Sequence, residues 1–220
     1  MADFNKIYPD LIRAEGGYAN NPNDRGGETY KGVARKFHND WAGWKIIDEY
    51  KLLNGPLKTN QFISNAKLDE MIKEFYKNKF WNKVKGDEIK SQEAAHIVFD
   101  AYVNQTGWTR TMLEEALSKL GKPIKVDSLP LKTPTVSVIN SIEPAKFILE
   151  FKNQREKRYR ERAAQVAGQQ GFLDGWLSRL SKFETLDVIE IVKRNKKKTV
   201  AFFLTISALA TGIFLYIKNK

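Results

Sequence analysis

Ala14-Glu15-Gly16-Gly17-Tyr18, with the turn-rich residues 20–27 and Glu28-Thr29-Tyr30-Lys31-Gly32 behind it, decides how this 220-residue chain is read. Upstream, Phe4, Ile7, Tyr8, Leu11 and Ile12 fall at i, i+3, i+4, i+7 and i+8, the spacing of one face of an α-helix. Glu15 lies four residues after Leu11 and continues that apolar stripe, and Gly16 stands where a helix C-cap glycine would. A carboxyl on an apolar face at the negative end of a helix has two reasons to keep its proton, desolvation and the helix dipole. That is what a general acid requires. A helix-terminal surface Glu is the blander reading, and the stripe disfavours it.

Asn20-Asn21-Pro22-Asn23-Asp24-Arg25-Gly26-Gly27 is dense in turn formers. Tyr18-Ala19 before it and residues 28–33 after it are predicted to pair as a short hairpin. This would set Asp24 near the tip and Thr29 on the returning strand, both able to face Glu15. A neutral acid, an ionised acid in a polar turn and a hydroxyl to hold water are the parts of a glycoside-hydrolase site. The alternative for Asp24 is an ordinary Asx-type turn residue.

The order Glu15-Gly-Gly-Tyr18, Asp24-Arg-Gly-Gly-Glu-Thr-Tyr-Lys-Gly-Val-Ala34 and Trp41-Ala-Gly-Trp-Lys-Ile-Ile-Asp48 resembles glycoside hydrolase family 108, the N-acetylmuramidases of phages and bacteria. Further matches are Phe75-Tyr76-Lys77 with Phe80-Trp81, Phe99-Asp100 with Asn104, and Gly175-Trp176 with Arg179, so the resemblance spans roughly residues 3 to 181. It implies that Glu15 is the catalytic acid. The spacing of Glu15, Asp24 and Thr29 also resembles the Glu/Asp/Thr set of phage-type lysozymes, one residue short between Asp and Thr. The implied fold is mainly α, a lysozyme-like helical domain with a small β-hairpin. The implied substrate is peptidoglycan, cut between N-acetylmuramic acid and N-acetylglucosamine. Tyr18, Tyr30, Asn104 and Gln105 are the candidate substrate contacts, C-capping being the alternative for the last two.

Composition narrows the class. There is no cysteine, so disulfides and thiolate metal sites are excluded. His38 and His96 are the only histidines and belong to no cluster at ligand spacing, so neither a metal nor any other cofactor is expected. The net charge is +11, but Lys193, Arg194, Lys196, Lys197, Lys198, Lys218 and Lys220 carry seven of the 37 basic residues, and no acid follows Glu190. Residues 1–192 therefore hold 30 basic against 26 acidic residues, a net +4, which argues against a nucleic-acid partner and suits an anionic wall polymer. Residues 1–10 hold no basic region followed by an apolar run, so no secretory signal is predicted.

Further along, residues 35–65 read as irregular, with Trp44 packed under the loop and Trp41 either packed or lining a sugar cleft. Residues 66–82 form an amphipathic helix on Leu68, Met71, Ile72, Phe75, Tyr76 and Phe80. Ser91 opens a helix to about Asn104 that is apolar nearly all round and therefore buried. Thr111 to Leu120 is a short helix. Val126-Asp127-Ser128 stands where relatives carry a Val-Asp-Gly turn of a peptidoglycan-binding half, with Ser128 replacing the glycine. Pro144 starts a helix to about Val166, with Ser141 as its cap.

Residues 199–217 are nineteen residues without a charge, close to the roughly 20 that span a bilayer core. Five basic residues precede them and two follow, so the positive-inside rule places the globular part in the cytoplasm, on a single-pass anchor in the bacterial inner membrane. Ala208 and Gly212 form a small-xxx-small pair that hints at weak self-association. The predicted layout is 1–107 catalytic, 108–184 a helical peptidoglycan-binding-like half, 185–198 a basic linker and 199–217 a C-terminal transmembrane helix. Two rivals stand beside the muramidase: a lytic transglycosylase, which needs the Glu but no water-activating partner, and a non-enzymatic membrane-anchored wall-binding or assembly protein.

Overall fold

A computed structural model describes residues 1–21 and 26–183. Asp24, the basic linker 185–198 and the apolar span 199–217 lie outside the described residues. No helix among the described residues is long and apolar enough to cross a membrane. They are mainly helical and form two compact units. The first comprises residues 1–110 with 126–137, and the second residues 111–125 with those from 138 onward.

In the first unit, helix α1 (Phe4–Glu15) starts on Asp3, whose carboxylate accepts from the Asn5 N–H at 2.9 Å. It buries Phe4, Ile7 and Leu11. Pro9 sits inside it, but on the exposed side, where the carbonyl it leaves unpartnered can meet water. Three strands follow: β1 (Tyr18–Asn20), β2 (Glu28–Tyr30) and β3 (Val33–Ala34), antiparallel in the order β1-β2-β3. The expected single returning strand over 28–33 is therefore broken. Lys31 (φ 45°) and Gly32 (φ 77°) make a two-residue turn with positive φ at both positions, the twist that suits a hairpin.

Residues 35–65 are not irregular throughout. Helix α2 (Gly43–Asn54) occupies twelve of them and ends at Gly55 (φ 83°). Its inward face is only Gly43, Trp44 and Ile47, while Leu52 and Leu53 project into solvent, so the apolar spacing is blurred. Helix α3 (Ala66–Tyr76) is capped by the Asn65 side-chain oxygen, which accepts from the Leu68 N–H at 2.9 Å, and runs into a π-helical turn, Lys77–Trp81, instead of continuing as regular α-helix. The turn drives Trp81 into the core, where it meets Phe4 at 5.6 Å and Phe99 at 5.7 Å. Gly86, at the start of a 3₁₀ turn (Gly86–Glu88), lies flat against the indole, so that a Cβ there would strike the ring. Helix α4 (Gln92–Asn104), capped by Ser91, is buried at seven positions from Ala94 to Ala101. The segment 126–137 packs in this unit, and the Leu131 N–H donates to the Lys83 carbonyl at 2.8 Å.

The sheet is tied to α2 by charge. Arg35 grips Asp48 with two bonds of 3.0 and 2.6 Å, lies 2.6 Å from Glu28 and stacks 4.3 Å from the centre of the Trp44 ring. Lys51 bridges Glu28 at 2.7 Å and Asp48 at 3.0 Å. The Arg35 hydrogen bonds, chiefly, hold the Asp48 carboxyl below the usual range. A carboxyl depressed in the folded state adds stability above its unfolded pKa of about 3.9, and that stability is lost as pH falls through the folded value. Asp48 is about half exposed, so the contribution is within about 1 kcal/mol. Asp48→Asn should accordingly lower the melting temperature slightly at pH 7, and by progressively less as pH falls below the unfolded pKa of about 3.9, a trend readable by calorimetry.

The second unit contains most of α5 (Thr109–Lys119), the end of α6 (Thr133–Asn140), α7 (Pro144–Gln165) and α8 (Leu173–Ser181). The α7 cap is Glu143, which accepts from the Ala145 N–H at 3.0 Å; Ser141 donates instead to the Val138 carbonyl. Phe147, Phe151, Arg155 and Tyr159 are buried along α7, and Trp176 of α8 stacks on Tyr159 at 5.1 Å.

Candidate active site

The Glu15-Gly-Gly-Tyr corner is built by backbone constraints. Gly16 takes φ 71° as α1 ends. Gly17 passes so close to the next segment that a Cβ would lie 2.7 Å from the Asn60 and Gln61 carbonyl oxygens. Its N–H donates to the Asn60 side-chain oxygen at 2.8 Å. On one side, β1 is zipped to that segment by Tyr18 N–H to the Gln61 carbonyl (3.0 Å) and Asn60 N–H to the Tyr18 carbonyl (2.7 Å). From the other side, the Lys31 N–H reaches the Gly17 carbonyl at 3.1 Å. The end of the acid's helix is thus clamped between two loops.

The Lys31-Gly32 turn arrives directly against Glu15. A Cβ at Gly32 would collide with both Oε2 of Glu15 and the phenol oxygen of Tyr76, so those two oxygens flank the same point. Tyr76 is the last residue of α3, is 2 % exposed, and donates its O–H to the Lys31 carbonyl at 2.9 Å. Lys31, unusual in its left-handed conformation, is held by an ion pair of 2.6 Å to Asp69. Beyond Tyr76 the aromatic line continues through Phe80 (5.6 Å) to Tyr102 on α4 (5.6 Å), both half-buried. Burial pushes the Tyr102 phenol pKa up.

The other candidate residues are placed differently. Glu28 and Tyr30 share one face of β2, and Thr29 points to the other, opposite Ala19 and Ala34. Tyr18 is buried and its O–H donates to Glu28 at 2.9 Å. Tyr30 is fully enclosed, and its phenol oxygen accepts from the Ile63 N–H at 2.8 Å. Both tyrosines are core residues. Asn104 is exposed, but its amide donates back to the Asp100 carbonyl at 2.7 Å, as a C-capping side chain does. Gln105 is buried, and its carbonyl receives the Trp108 and Thr109 N–H groups. Trp44 packs inward with its indole N–H on the His38 carbonyl at 2.8 Å, and with half-buried Trp41, Arg35, Lys45, Asp48 and Leu52 it lines a shallow groove of about 640 Å³. Tyr76, expected in the core, and Gly32, expected on the returning strand, are thus brought beside the Glu15 carboxyl.

The sequence of residues 8–106, which contains Glu15, Gly32 and Tyr76, matches the family model described as Glycosyl hydrolase 108. The segment is a glycosyl hydrolase 108 domain. The protein carrying it is a glycoside hydrolase, and the family's substrate class is peptidoglycan. No curated protein matches the chain. Among solved structures, Brucella abortus SagA is similar in fold, with a TM-score of 0.57 at 20 % identity, over 84 % of this chain and 94 % of that one. The match thus reaches beyond the glycosyl hydrolase 108 domain to part of the second unit.

Proposed function

We propose that the protein is an N-acetylmuramidase that hydrolyses the β-1,4 bond between N-acetylmuramic acid and N-acetylglucosamine, with Glu15 as the general acid. The observation that supports this reading is the placement of the Glu15 carboxyl. It sits at the end of α1, inside the glycosyl hydrolase 108 domain, against Gly32 and the Tyr76 phenol. Glu15 protonates the leaving oxygen as the glycosidic bond breaks, and positive charge develops on the muramic acid ring. Asp24 orients the attacking water or stabilises that charge, and Thr29 helps to hold the water. Digestion of purified peptidoglycan, with mass-spectrometric identification of the soluble muropeptides, tests the assignment. Reducing-end muramic acid is the expected product. Anhydro-muramic ends would mean a lytic transglycosylase, and no release by folded protein would mean a binding protein.

The uncharged span 199–217, bracketed by basic clusters, is read as a tail anchor in the inner membrane. The globular part then lies on the cytoplasmic face, as in a phage or prophage-type lysis enzyme held until the membrane is breached. Protease treatment of inverted membrane vesicles should digest the globular part. Its protection inside them would refute this orientation.

A further inference from the structure

We infer that Tyr76 is the positioning residue for the catalytic acid, and that its phenol and the bare backbone of Gly32 form the seat in which the Glu15 carboxyl is held. This rests on the reading of Glu15 as the general acid. A glutamate at a helix end is a poor tool unless something fixes it. It has three side-chain torsions, the last of them broad, and a general acid must present its proton to one oxygen of the substrate within a few tenths of an ångström.

Each wall of the seat is itself immobile. The Tyr76 ring is enclosed, edge-on to Phe75 at 5.4 Å and tilted against Phe80 at 5.6 Å. Its hydroxyl is anchored at 2.9 Å on the Lys31 carbonyl. That carbonyl belongs to a tight turn pinned by its own N–H to Gly17 and by its ammonium to Asp69. Gly32 completes the seat by lacking a side chain, because its missing Cβ is the space that Oε2 of Glu15 and the Tyr76 phenol oxygen flank together. The φ of 77° makes glycine the favoured residue there in any case, so one residue serves both the turn and the acid. The first glycine pair, Gly16-Gly17, brings the helix end to this point; Gly32 receives it.

The test is Tyr76→Phe, which keeps the ring and removes the oxygen. It is assayed as full chain on a soluble peptidoglycan fragment of defined length, beside wild type and Glu15→Gln. The expected result is a kcat lowered about 10- to 100-fold with KM within about twofold, because the acid is mis-set while the sugar contacts are intact. A wild-type kcat in folded Tyr76→Phe, with Glu15→Gln inactive, would overturn the inference and leave the role of Glu15 standing. A Glu15→Gln rate within about tenfold of wild type would instead remove the reading beneath it. Tyr76→Phe leaves the buried Lys31 carbonyl short of a donor, and the variant could fail to fold. A second measurement therefore uses the tyrosine ring-carbon NMR spectrum of wild type and Glu15→Gln. The Tyr76 resonance should move on that substitution while the Tyr102 resonance stays in place, and an unmoved Tyr76 resonance would overturn the seat.

Discussion

Glu15→Gln should leave the protein folded and able to bind peptidoglycan, and should slow muropeptide release by about 10²- to 10⁴-fold, the usual worth of a positioned proton donor. The substitution is nearly isosteric and the side chain is only half-buried, so α1, its glycine corner and the Lys31-Gly32 turn have no reason to rearrange. What disappears is the proton. An amide cannot give one to a glycosidic oxygen, and without it the leaving group departs as an alkoxide. Initial rates of release from purified sacculi, with calorimetry to confirm an unchanged melting transition, check this. A rate within a factor of about ten of wild type would mean that another group supplies the proton.

Trp81→Ala should be the most destabilising single change in the glycosyl hydrolase 108 domain, by about 3–5 kcal/mol. Trp81 is wholly buried and joins three elements. Its ring meets Phe4 of α1 and Phe99 of α4, its flat face lies on Gly86, and its N–H donates to Asp87 at 2.7 Å. Removing it opens a cavity between helices and strands the Asp87 acceptor. For a chain of this size each kcal/mol is worth about 2–4 °C, so the melting temperature should fall by roughly 10 °C. The consequence for activity follows from α1: Phe4 and Glu15 lie on one stripe, so a loosened Phe4 end loosens the acid. A shift of about 2 °C or less would mean that α1 is held by contacts other than this cluster.

How much of this could be read from residues alone depended on how local the cause was. The α1 stripe, its glycine terminus and the buried α4 are consequences of spacing within a dozen residues, and the structure forms them over nearly the expected ranges. Helix α2 escaped because only Trp44 and Ile47 mark its inner face beyond its first residue, while two leucines point outward. Helix α6 is eight residues long and begins Thr-Pro-Thr, which reads as a turn. The enclosure of Tyr18 and Tyr30 was not legible, because it depends on how the strands and the 60–63 segment pack on one another. The turn at Lys31-Gly32 splits the expected strand. Tyr76 was legible as a core residue and is one. Its contact with Glu15 comes from a helix 61 positions away in the chain, a coincidence that no local pattern encodes.

The measurement that bears most directly on the central claim is digestion of purified peptidoglycan in heavy-oxygen water, with mass spectrometry of the released fragments. Hydrolysis with Glu15 as acid predicts one heavy oxygen atom at C1 of each new muramic acid end, formed about 10²- to 10⁴-fold more slowly by Glu15→Gln. Unlabelled anhydro-muramic ends, or a label on N-acetylglucosamine instead, would contradict it.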